Sequence, residues 1–289
     1  MDGILLIDKK KGITSREVVN QIVKLLDTKK VGHTGTLDPI ATGVLVICVG
    51  RATKLVDLLT AQDKEYIASV TLGVLTDTLD SDGNIIKEEK VNLTDDEIIN
   101  AVNSMKGSYM QEVPIYSAVK INGKKLYEYA RENIDIELPK REVNIYDISI
   151  ISNIERNNNH INFNFKCRVS KGTYIRSLIN DIALKLHTIG IMTDLRRIKQ
   201  GKFSIDDCIA VEKINNNSLI TVTNVLDDIL QIHVDDTLKK DILNGKIIYD
   251  SYKVDKVLFT DNNGKALAVY KKYEKDNNYL KPDIMLGGI

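Results

Sequence analysis

The sequence predicts an α+β protein in two unequal parts, and three observations carry that expectation. Residues Phe163, Phe165, Cys167 and Val169 alternate with polar neighbours, which marks a strand with one buried face. Helical stripes are interspersed with such strands: Val18, Val19, Ile22, Val23 and Leu26 form one, and Ile175, Leu178, Ile179, Ile182, Ala183 and Leu186 another. From about His233 the pattern shifts to short strands, Lys246 to Tyr249, Val254 to Thr260 and Ala266 to Tyr270, which fits a small β-rich domain. At 289 residues the chain is long enough for one sizeable core plus that smaller unit.

Taken in order, Ile4 to Ile7 reads as a short strand and Asp8-Lys9-Lys10-Lys11-Gly12 as a charged turn. Thr14 with Glu17 three residues on predicts a capping box at the start of the first helix. The stretch from Val31 to Val49 follows, and the chain is organised around it. Gly32, Gly35 and Gly43, with three threonines and Pro39, force a tightly turned loop, and Val44 to Val49 reads as a buried strand. Pro39 biases Asp38 towards extended geometry, so a carboxylate stands on a stiff loop beside a core strand. Read alone, Asp-Pro beside Gly and Thr is ordinary turn chemistry. A P-loop is excluded because no Lys follows the second Gly, and the glycine spacing does not fit a dinucleotide fingerprint.

Gly50 to Lys54 opens a helix that runs through Leu59, and Lys64 to Gly73 has strand alternation. Thr76 to Asn84 reads as an acidic hairpin turn; a calcium loop is rejected because its first ligand position is Thr78. Thr94 to Met105 predicts a helix with Ile98, Ile99 and Val102 inward. In the helix of the second stripe, Arg176 lies just off the apolar face near the N-terminus, where a cation is mildly unfavourable, so it calls for a partner. Asn215 to Ser218 is a polar break, followed by a short helix around Val225 to Leu230.

Composition bounds the function. A hydrophobic fraction of 43% and a charged fraction of 28% are ordinary for a soluble globular protein, and no apolar run reaches membrane-spanning length. The N-terminal apolar run has the wrong order and length for a secretion signal, so a cytoplasmic protein is expected. Cys48, Cys167 and Cys208 read as reduced core residues, and His33, His160, His187 and His233 lack metal-ligand spacing. The net charge is zero, yet between Lys166 and Lys202 the chain carries many more cations than its two acids, Asp181 and Asp194. Such a strip serves equally as a phosphate-binding face or as a solvated surface.

Gly-His-Thr-Gly-x-Leu-Asp-Pro-x-Ala-x-Gly-Val-Leu, from Gly32 to Leu45, resembles the signature of the TruB family, the synthases that make pseudouridine in the T loop of tRNA. Lys-Gly-Thr-Tyr-Ile-Arg, ending at Arg176, and Thr193-Asp194-Leu195-Arg196-Arg197 resemble two further family motifs. The resemblance implies a pseudouridine synthase fold, with a mixed, largely antiparallel central sheet flanked by helices and Asp38 in the central cleft. It divides the chain into a catalytic domain over 1–232, with a T-loop-gripping insertion at about 108–143, and a PUA-like RNA-binding domain over 233–289. One departure is Lys10, where the family normally has Pro; it loosens the turn and adds a phosphate contact.

The implied reaction is an isomerisation that needs no cofactor and no metal, only a carboxylate, an enclosed pocket and a flipped-out nucleotide. Asp38 is the expected catalytic residue, with Arg176 paired to it. Tyr66 would stack on the uracil, Tyr174 would pack within the pocket, Leu195 would be an apolar wall, and His33 would prop the space left in the T loop. Asp77 and Asp80 belong to a motif that lines the site, and Lys9 is placed with the substrate-binding residues. The expected partner is the tRNA T-stem-loop, bound by a monomer without a protein partner. Two rivals predict otherwise: a carboxylate hydrolase pairing Asp38 with Asp77 or Asp80, and a non-catalytic RNA-binding module. The guide-dependent synthase of box H/ACA particles has similar motifs, but the insertion and the lack of a long basic tail favour a stand-alone enzyme.

Overall fold

The computed structural model of the protein describes residues 1–215 and 217–287, so Asn216, within the polar break, lies outside the described residues. The chain runs β1 (Gly3–Lys9), α1 (Ser15–Leu25), β2 (Val31–His33), β3 (Thr42–Val49), a 3-10 helix (Gly50–Leu55) leading into α2 (Val56–Thr60), β4 (Lys64–Leu72) and the hairpin β5 (Val74–Thr76) and β6 (Ile85–Glu88). Next come α3 (Asp95–Asn103), β7 (Gly107–Glu112), the short β8 (Lys120–Ile121) and β9 (Lys124–Lys125), α4 (Leu126–Arg131), β10 (Lys140–Ile150), β11 (Glu155–Asn157) and β12 (His160–Val169). Then α5 (Ile175–Lys185), β13 (Gly190–Gln200) and β14 (Phe203–Ser204) precede α6 (Val222–Val225), β15 (Leu230–His233) and α7 (Asp236–Leu243). The last strands are β16 (Ile248–Tyr249), β17 (Lys256–Thr260), β18 (Ala266–Lys272) and β19 (Tyr279–Met285).

The large sheet has the order β1-β3-β13-β4-β12-β10-β7. Its pairings are antiparallel except one: β13 meets β3 in parallel, at Thr42 with Arg196 and Gly43 with Arg197. Strands β1 and β3 are buried on both faces, which is why Val44 to Val49 is a continuous apolar run. One face, with Leu5, Ile7, Leu45 and Ile47, packs with Val18 and Ile22 of α1 in a core that also holds Leu178 and Ile179 of α5. The other face, with Ile4, Leu6, Val44 and Val46, belongs to a cluster that takes in Leu55 and Leu59 and also Leu258 and Val269 of the smaller sheet. That smaller sheet, ordered β15-β17-β18-β19-β16, therefore packs against β1 and β3 of the large one.

Local expectations follow the same physics. The Thr14 and Glu17 side chains close the predicted capping box on α1, and Thr94 with Glu97 closes another on α3. Phe163, Phe165, Cys167 and Val169 are all buried on β12. Two expectations are corrected. Ile99 is 38% exposed: Ile98 and Val102 point inward, and the next residue along a helix turns about 100° away from that face. The short helix lies at Val222–Val225, upstream of the predicted Val225 to Leu230, because the Thr221 side chain accepts from the Asn224 N–H and caps it there. Leu230–His233 is a strand that pairs in parallel with β17, so the smaller sheet begins a few residues before His233. Among the described residues no helix is long and apolar enough to cross a membrane.

Candidate active site

The loop that carries Asp38 is held by main-chain contacts on both sides. Ser15, at the first turn of α1, accepts from the Leu37 N–H at 2.9 Å and donates to the Leu37 carbonyl at 3.2 Å. The Pro39 carbonyl accepts from the Gly12 N–H at 2.8 Å, and the Ala41 N–H donates to the Asp38 carbonyl at 3.0 Å. Gly43 follows at φ 102°, where a Cβ would meet the Arg197 carbonyl oxygen at 2.2 Å, so only glycine lets β3 approach β13 there. The Asp38 carboxylate is thereby fixed with one third of its side chain exposed to the cleft.

Arg176 supplies the partner its position called for. It is 5% exposed, with Nε 3.0 Å from Asp38 Oδ2 and Nη2 3.2 Å from Asp38 Oδ1. Its remaining donors reach the Thr78 carbonyl at 2.8 Å and the Tyr116 carbonyl at 3.0 Å. Asp80 Oδ2 lies 3.7 Å from the same Nε. The guanidinium thus joins four segments, and its planar set of donors suits that task better than an ammonium would. Burial pushes the Asp80 carboxyl up, while the Thr78 hydroxyl at 2.6 Å and Arg176 pull it back. Asp80 is committed to these contacts, which counts against its pairing with Asp38 as a hydrolase acid.

Above this pair is a cleft of about 420 Å³. Tyr66 on β4, Tyr174 at the start of α5 and Leu195 on β13 line it together with Asp38 and Arg176. The insertion contributes Tyr116, Ser117 and Tyr127, and its base is closed where Lys140 of β10 pairs with Glu112 of β7. Basic groups flank Tyr127: Lys125 Nζ lies 5.2 Å from its ring centroid and the Arg131 guanidinium carbon 5.2 Å. His33 lies on β2, with Nδ1 accepting from the Gly35 N–H at 3.3 Å. Burial, with Arg16 and Arg197 nearby, holds its imidazole below the usual histidine range.

Two family models match the chain, "TruB family pseudouridylate synthase (N terminal domain)" over residues 23–175 and "tRNA pseudouridylate synthase B C-terminal domain" over residues 176–239. The tRNA pseudouridine synthase B of Clostridium kluyveri is 44% identical over 284 residues, which cover 97% of this chain and 94% of the relative. That of Bacillus pumilus is 39% identical over 298 residues, covering 98% and 96%. The chain belongs to the TruB family. A chain from "Crystal Structure of a Cbf5-Nop10-Gar1 Complex" superposes with a TM-score of 0.70 at 24% identity, over 99% of this chain and 85% of that one, which is a likeness of fold.

In this TruB chain the three sequence motifs converge, since the Asp38 loop, the start of α5 and β13 all line one cleft. Other predicted residues stand elsewhere. Asp77 is a turn residue, accepting from the Asn84 main chain at 2.8 Å and side chain at 3.0 Å. Lys9 is 1% exposed and props the Asp38 loop from behind, donating to the carbonyls of Ile13 at 2.7 Å, Lys10 at 2.9 Å and Pro39 at 3.4 Å. Lys10, expected to add a phosphate contact, pairs with Glu212 at 2.9 Å. The basic strip does not form one face. On β13 successive side chains point to opposite sides: Arg196 pairs with Asp8, while Arg197 is 1% exposed and donates to the Val44 and Gly35 carbonyls. Sequence reasoning missed Arg197 as a buried tie between β13 and the signature loop.

Burial pushes the Lys9 ammonium down to about 8, against the pull of Asp38. Between about 8 and 10.5 the folded TruB chain therefore holds fewer protons than the unfolded one, so this group makes stability rise with pH across that window. Denaturant unfolding of wild type and Lys9→Met through this range should show the wild type gaining on the variant as pH rises. A gap that stays flat or closes would contradict the assignment.

Proposed function

We propose that this TruB enzyme converts uridine 55 in the T loop of tRNA to pseudouridine, using the Asp38 carboxylate on a flipped-out nucleotide and no cofactor. The observation that carries the proposal is the pairing of Asp38 with the buried Arg176 at the foot of a cleft walled by Tyr66 and Leu195. In the isomerisation the bond from the ribose to uracil N1 breaks and one to C5 forms; C5 gives up a proton and N1 gains one. Atoms and electrons balance without any co-reactant. A carboxylate in this position can attack the ring or take a proton, and Arg176 holds it in a single orientation. Tyr66 stacks on the base, and Leu195 closes the opposite side. His33 stands at the edge of the loop, where its ring fills the place the nucleotide leaves.

The test uses an unmodified tRNA transcript and the purified protein, with pseudouridine mapped by carbodiimide adduct and primer extension. A single stop at the T-loop uridine is the expected result. Stops elsewhere would overturn the T-loop assignment, and no stop at any position despite tRNA binding would favour an RNA-binding module.

A further inference from the structure

The edge strand from which the insertion departs is stitched to the helix that carries Arg176, by hydrogen bonds the chemistry above does not use. Gln111 on β7 is 1% exposed. Its Oε1 accepts from the Tyr174 N–H at 2.8 Å, and its Nε2 donates to the Tyr174 carbonyl at 3.1 Å. The same Nε2 lies 2.8 Å from the Tyr109 hydroxyl, which donates to Asp181 at 2.9 Å. Between these, the Ser177 hydroxyl donates to the Glu112 carbonyl at 2.8 Å. Ser177 and Asp181 are four residues apart and lie on one face of α5. β7 therefore grips that face from the start of the helix onward.

The contact to Tyr174 differs in kind from the other two. Tyr174 is the N-cap residue of α5 and makes no side-chain cap bond of its own. The Gln111 amide pairs with both its N–H and its carbonyl, as a neighbouring strand would, and so fixes the chain's angle of entry into the helix. Arg176 comes two residues later, and its acceptors are Asp38, Thr78 and Tyr116, each from a different segment. A guanidinium shared in this way tolerates little displacement of its own backbone.

We propose that Gln111 is a positioning residue for the TruB reaction: by pinning the main chain of Tyr174 it sets where Arg176 meets Asp38. The proposal rests on the function stated above. Its test compares single-turnover pseudouridine formation, the dissociation constant for a T-stem-loop RNA and the melting temperature across wild type, Gln111→Leu, Gln111→Glu and Tyr109→Phe. Gln111→Leu keeps the bulk and removes both bonds to Tyr174. Its rate should fall at least about tenfold with RNA affinity within about twofold of wild type, because a small misplacement of a catalytic group costs rate rather than binding. Gln111→Glu keeps the acceptor and loses the amide donor, so its rate should fall less. Tyr109→Phe removes the hydroxyl that links Gln111 to Asp181 but leaves both bonds from Gln111 to Tyr174, and should stay within about twofold of wild type.

Equal factors of loss in rate and affinity for Gln111→Leu, or a Tyr109→Phe rate as low as that of Gln111→Leu, would reduce Gln111 to general scaffolding. Wild-type rates in Gln111→Leu would also overturn the proposal. If that variant does not fold, Gln111→Glu carries the test, and a wild-type rate in it has the same consequence. An inactive wild type would overturn the functional reading itself, whereas an active one with an indifferent Gln111 overturns this proposal alone.

Discussion

Asp38→Asn stops pseudouridine formation: the single-turnover rate on a tRNA transcript is expected to fall by about 10⁴-fold or more, the scale seen when an enzyme's reacting group is removed. The replacement is nearly isosteric, and its side-chain oxygen can still accept from Arg176, which also keeps Thr78, Tyr116 and Asp80 as partners. The fold and the cleft should therefore persist, with RNA affinity within a few-fold of wild type. Filter binding beside a single-turnover time course separates the two quantities. Residual activity within about tenfold of wild type would remove Asp38 from the chemistry.

Arg176→Met should be the most damaging change to stability, and it should slow the reaction as well. It strands two carboxylates, one of them the buried Asp80, and leaves the Thr78 and Tyr116 carbonyls without their donor. Removing one member of a buried ion pair typically costs about 3–5 kcal/mol. A loss of orientation at Asp38 adds a rate penalty on the order of 10²-fold. The pH dependence has a definite sign. Burial already raises the Asp80 carboxyl, and without Arg176 it rises further, so the folded variant binds a proton more readily than its unfolded chain. The stability gap to wild type should therefore narrow as pH falls from neutrality, as read by urea unfolding. A gap that widens would mean Asp80 does not feel Arg176. Arg176→Lys should fall between, since one ammonium cannot reach acceptors in three segments.

Much of this site could be read before the fold was known, because its parts are short and stiff. The Asp38 loop owes its shape to local glycine, threonine and proline chemistry. Arg176 betrayed itself by an unfavourable place near a helix start, a conflict that a partner resolves. What stayed hidden depends on contacts between segments far apart in sequence. Lys9 read as part of a charged turn and was placed with the substrate-binding residues, yet the fold buries it under the loop it supports. The basic strip left a phosphate-binding face and a solvated surface equally open, and the alternation of β13 sends Arg196 and Arg197 to opposite sides. Gln111 carried no local signal, since an edge-strand glutamine becomes informative only once α5 lies against it.

The placement of β13 in the large sheet also has a consequence for how the protein is made. The hairpin of β1 and β3, with Asp38 beside it, is joined to β4 and its Tyr66 only through a strand that ends at Gln200. Its hold on β3 is narrow, at Thr42 and Gly43. During synthesis the Asp38 carboxylate and the Tyr66 ring thus remain unjoined until residues far downstream have left the ribosome. Closing such a long loop is slow compared with local hairpin or helix formation. The nascent chain therefore carries its N-terminal strands well before their core and the cleft are complete.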